Sequence, residues 1–131
     1  MAINLIRTSQ SAEFVHISDD AAIMPDAGAQ WPGPSPQWLP AAGQPDACTR
    51  FKVRCMSADE VAECDALLPP SEVDADTRRA AHSRRAARVC KIGWLALDGA
   101  AIPADLGYGW QEQVAALIGE VTVAGPLARR P

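Results

Sequence analysis

Thr49-Arg50-Phe51-Lys52-Val53-Arg54-Cys55-Met56-Ser57-Ala58-Asp59-Glu60 changes its periodicity partway along, and that change decides the fold class. Phe51, Val53 and Cys55 alternate with Arg50, Lys52 and Arg54, so a strand here carries an apolar row on one face and a basic row on the other. Ser57 then stands where a helix N-cap belongs, and Glu60 three residues later completes a capping-box pattern. The spacing of Val61, Cys64, Leu67 and Leu68 predicts a helix running to about Leu68, ahead of Pro69-Pro70.

Towards the N-terminus, Ile3 to Thr8 and Glu13 to Ser18 alternate around the polar Ser9-Gln10-Ser11, which predicts a β-hairpin or two neighbouring strands. Residues 25–47 hold Pro25, Pro32, Pro34, Pro36, Pro40 and Pro45 with Gly28, Gly33 and Gly43. That spacing excludes a helix or a central strand and predicts a long extended arm or loop. Trp31 and Trp38 lie within it, which suits docking either over the core or onto a partner subunit.

Towards the C-terminus, Ser71 and Asp74 offer a second capping pattern for a helix that reaches Ile92. Gly93 to Leu97 reads as a strand, Asp98-Gly99 as a turn and Ala100 to Pro103 as a short return. Trp110, Val114, Leu117, Ile118 and Val121 recur at helical spacing, with Trp94 and Trp110 placed as core residues. Residues 125–131 are basic and are expected to form a mobile tail. The whole is expected to be one α+β domain over residues 1–131. Its plan is a short antiparallel β-sheet packed with two or three helices, plus the Pro-rich arm.

The helix from Ser71 carries the densest chemistry. Arg78, Arg79, Arg84, Arg85, Arg88 and Lys91 are half of the twelve Lys and Arg residues, in a chain of net charge −4. Two readings compete. Arg side chains can pair with the acidic run Asp59 to Asp65 across an αα-hairpin made by Pro69-Pro70, or they can face an acidic protein surface. A nucleic-acid partner stands behind both, because the chain is acidic overall and the helix has no interleaved aromatics.

Enzyme chemistry finds little support. Cys48, Cys55, Cys64 and Cys90 lack the close spacing of a zinc site and read as buried, reduced thiols; no metal or cofactor is expected. A thiol-dependent reading would rest on Cys64 or Cys90. His16 and His82 have no evident nucleophile partner, and no Gly-rich phosphate loop precedes a helix. The carboxylates Asp59, Glu60, Glu63, Asp65, Glu72, Asp74 and Asp76 are accounted for as caps and solvated charges. No run of eighteen apolar residues reads as a membrane span, and residues 1–10 do not have the pattern of a signal peptide.

Residues 49–60, a strand leading straight into a capped helix, and Gly93 to Pro103, followed by an amphipathic helix, together resemble small morphogenesis and virion proteins of tailed bacteriophages. The resemblance spans about residues 49–123 and departs in the Pro-rich segment and the cysteine content. It implies a non-enzymatic structural or assembly protein that packs against capsid, connector or tail subunits as a homo- or hetero-oligomer. The alternatives are a tail-assembly chaperone that leaves the mature particle, and a nucleic-acid-binding accessory protein. Its location would be the virion, or the host cytoplasm during assembly. Arg78, Arg79, Arg84, Arg85, Arg88 and Lys91 would supply the electrostatic contact, and Trp31 and Trp38 the apolar one.

Overall fold

The strand predicted from Glu13 is β1, Ser11–His16, and it lies inside an antiparallel sheet. A computed structural model of the chain describes residues 11–97 and 107–124. The expected strand Ile3 to Thr8, the turn and return from Asp98 to Pro103, and the tail 125–131 lie outside the described residues. The further elements are β2 (Trp38–Pro40), β3 (Phe51–Arg54), α1 (Ala58–Asp65), α2 (Ala75–Gly93), β4 (Trp94–Leu97) and α3 (Tyr108–Ala124). Sheet order is β2-β1-β3-β4, every neighbouring pair antiparallel, which makes the fold α+β.

Both faces of β1 are covered, and this explains why its burial departs from simple alternation. Phe14 joins Trp38, Phe51 and Val53 on the side that meets α2 and α3. Val15 points the other way, to Leu39, Ala41 and Cys48, with Trp31 and Ala21 packed beside them. The second cluster lies under the segment expected to be an extended arm or loop. Residues 25–47 fold back over the core and supply β2 as an edge strand beside β1. Pro40 is tolerated there because an edge strand need not donate every N–H.

The return is fastened locally. The Gln44 amide accepts from Ile23 N (2.7 Å) and donates to Ile23 O (2.9 Å), closing the loop. Gly43 turns the chain at φ 82°, a conformation that glycine adopts without strain. Trp31 Nε1 donates to Ser35 O at 2.7 Å. Asp19 accepts from Ala21 N and Thr49 N, and these bonds hold its carboxyl below the usual range.

Two helix boundaries differ from expectation. α1 ends at Asp65, not Leu68, because the residue before a proline is forced out of the helical region. Leu67 N and Leu68 N then bond to Cys64 O and Asp65 O, a tightened last turn ahead of Pro69. α2 starts after Asp74 rather than Ser71, and the Asp74 carboxylate accepts from Thr77 N at 2.6 Å.

The capping box of α1 forms as read and is tied to β3. Glu60 accepts from Ser57 N (2.9 Å) and, through both oxygens, from Arg54 (3.0 and 2.8 Å). The Arg54 guanidinium, then the Ser57 N–H, push the Glu60 carboxyl down to about 2 from 4.5. A depressed folded value means stabilisation that is complete above 4.5 and is lost as pH falls through about 2. Glu60→Gln is expected to cost about 1–2 kcal/mol near neutral pH, allowing for solvent screening, and to flatten that acid limb. Melting temperatures measured across the acid range check both effects.

α3 closes the structure. Val114, Leu117, Ile118 and Val121 are buried against α2 and β3. Thr122 Oγ1 donates to Ile118 O (2.7 Å) and accepts from Met56 N (3.1 Å), joining the end of β3 to the helix. Trp94 is buried as expected, whereas Trp110 remains 36% exposed at the rim, stacked on Phe51 at 5.4 Å.

Candidate interaction face

The capped start of α1 and the Pro69-Pro70 break bring α1 alongside α2, and opposite charges meet across the gap. Arg85 Nε and Nη2 donate to Asp65 Oδ1 at 3.1 and 2.9 Å. Arg88 Nε and Nη2 donate to the two oxygens of Glu63 at 3.1 and 2.7 Å, and the guanidinium lowers the Glu63 carboxyl. These pairs are a third to a half exposed, so solvent screens them and each adds little to stability. They orient α1 more than they hold the fold.

The six basic residues therefore divide. Arg85 and Arg88 belong to the helix pair. Arg79 pairs with Asp76 within α2 (3.1 Å), and Arg78 Nη2 donates to Ser71 O (3.2 Å). Arg84 and Lys91 are exposed, and neither has an ion-pair partner among the described residues. Together with Glu63, Leu67, Ala87 and Arg88 they line an open groove of about 460 Å³. Leu67 is 36% exposed there because α1 stops two residues before it. Leu67 and Ala87 did not figure among the expected site residues; the signal that exposes Leu67 is the proline pair, which ends the helix early.

The tryptophan contact requires correction. Trp38 has no exposed surface and packs edge-on to His16 and Phe51, so it is a core residue and not an anchor for a partner. Trp31 is half-buried beside the second cluster, with its indole N–H committed to Ser35 O.

No protein-family model, curated protein or solved structure matches the chain. The site is therefore read from its own residues.

The cysteines and His16 are all buried. All four cysteines are free. Burial pushes the Cys90 thiol up to about 12 and raises Cys64, so both stay protonated at neutral pH and are poor nucleophiles. His16, buried on β1, accepts at Nδ1 from Ser18 N (3.1 Å), which leaves Nε2–H to donate to Gln113 Oε1 on α3 (3.1 Å). Ser18 Oγ also lies 2.7 Å from Nδ1, in the turn closed by Asp19 N and His16 O. This node ties β1 to α3. Sequence reading missed it because its two halves are 97 residues apart. Among the described residues no cluster of three His, Cys, Asp or Glu side chains is placed to hold a metal ion, and no helix is long and apolar enough to cross a membrane.

Proposed function

We propose that the protein is a non-enzymatic binding subunit that packs against other protein subunits through the α1–α2 face. The observation that carries this reading is the pair Arg84 and Lys91, two exposed cations without ion-pair partners among the described residues, in one groove with the exposed Leu67. An apolar floor between charged rims is the usual anatomy of a protein contact. Leu67 takes over the apolar role first given to Trp31 and Trp38. The setting we propose, on the sequence resemblance, is a tailed-phage particle or its assembly, as a virion component or as a tail-assembly chaperone that leaves the particle.

A nucleic-acid role for the same helix is disfavoured by Leu67, which would gain nothing from a phosphate backbone. The test is a photoreactive p-benzoylphenylalanine placed at Leu67 in producing cells, with Ile23, 58% exposed in another part of the fold, as the control position. A discrete adduct from position 67 is expected, sensitive to protease and resistant to nuclease, and abolished by R84E/K91E. Absence of that adduct, or its removal by nuclease, would overturn the reading. Arg88 is left intact in this design because its reversal would disturb the pairing with Glu63.

A further inference from the structure

We infer that the α1–α2 groove receives an amphipathic helix of a partner protein, one that carries two carboxylates two turns apart with a large apolar side chain between them. This rests on the protein-binding reading above and specifies the chemistry of the partner.

Arg84 and Lys91 are seven residues apart on α2, so they lie on nearly the same face, about 10 Å apart along the axis. A partner helix with acidic residues at the same interval matches both cations at once when it lies along α2, in either direction. Ala87 lies between them on α2, and Leu67 lines the same groove from the end of α1. Alanine at position 87 keeps the surface low, so a second helix can approach to the ordinary interaxial distance of about 8–10 Å and set an apolar side chain against Leu67. The carboxylate in the groove does not cancel the field, because Glu63 is already held by Nε and Nη2 of Arg88. Two uncompensated positive charges therefore remain beside an apolar strip, and their complement is an acidic amphipathic helix. A phosphate backbone fits less well. It has no apolar group to set against Leu67.

The probes are three fluorescein-labelled molecules. One is a helical peptide of about fourteen residues, with Glu at positions seven apart and Leu between them. The second is the same peptide with Lys for Glu, and the third is an oligothymidylate of about twenty nucleotides. Fluorescence polarisation on the full chain is expected to show binding of the Glu peptide. Affinity should fall at least tenfold, to order of magnitude, in R84E/K91E. The Lys peptide should bind that variant better than it binds the original protein, and Leu67→Ala should weaken the Glu peptide about threefold or more. Circular dichroism of each variant confirms that the fold is kept.

Equal binding of the Glu and Lys peptides, or of neither, overturns the inference. If the protein adduct at position 67 still forms, the protein-binding reading survives with a partner of other chemistry; if it does not, both fall. Tighter binding of the oligothymidylate that is indifferent to Leu67→Ala overturns the inference in favour of nucleic acid.

Discussion

Trp38→Ala is expected to lower the unfolding free energy by about 3–5 kcal/mol, a large share of the ~5–15 kcal/mol available to a domain of this size. The indole is fully buried on β2 and sits where three elements meet. Its ring is edge-on to His16 of β1 (centroids 4.8 Å, 84°) and to Phe51 of β3 (5.0 Å, 77°). Truncation removes both aromatic contacts and leaves a cavity between the edge strand and the centre of the sheet. The loss extends to β2 itself. That strand has three residues, and its pairing with β1 is supported by Trp38 on one face and Leu39 on the other.

A second substitution separates packing from polarity. Trp38 Nε1 is buried without a hydrogen-bond partner among the described residues, so Trp38→Phe removes volume but relieves that group as well. Trp38→Phe is therefore expected to cost only about 1 kcal/mol, well below the Ala variant. Urea denaturation of the three proteins checks the order. In thermal melts the Ala variant should lose about 10–20 °C. An unchanged midpoint in Trp38→Ala would mean that the side chain lies on the surface, where it would again be available to a partner.

Trp38 also marks where the sequence stopped being legible. The alternation in Phe51 to Arg54 and the capping box of Ser57 and Glu60 are local signals, complete within a few residues, and both elements form where they were read, although α1 ends three residues early. Residues 25–47 carry equally strong local signals of irregular backbone. Those signals say nothing about where irregular backbone goes. Its destination was decided by Trp38 and Leu39, whose opposite faces match the two sides of β1, a pairing between segments some twenty residues apart. The candidate site divides in the same way. That α2 is basic is written in its composition. Which cations remain free depends on Asp65 and Glu63 meeting Arg85 and Arg88 across the helix pair, and spacing along one helix cannot reveal it.

Gly93→Ala is expected to destabilise the protein by about 1–3 kcal/mol, although alanine is the better helix former. Gly93 is the last residue of α2 and is buried against α3. A Cβ there would lie 2.6 Å from Ile118 Cγ2, 3.1 Å from Cδ1 and 3.2 Å from Cγ1. Ile118 has no exposed surface and is β-branched, so its χ1 is fixed within the helix and the branch methyl cannot swing aside. The backbones of α2 and α3 must separate, which loosens the packing around Val89, Cys90 and Leu117. The same geometry predicts a change of sign. In an Ile118→Ala background the obstructing methyls are gone. There Gly93→Ala should become neutral or stabilise by up to about 1 kcal/mol, through helix propensity and partial filling of the cavity. A double-mutant cycle by urea denaturation measures this directly, with an expected coupling of about 1–3 kcal/mol between the two positions. Independent effects at the two positions would mean that α2 and α3 do not meet at Gly93.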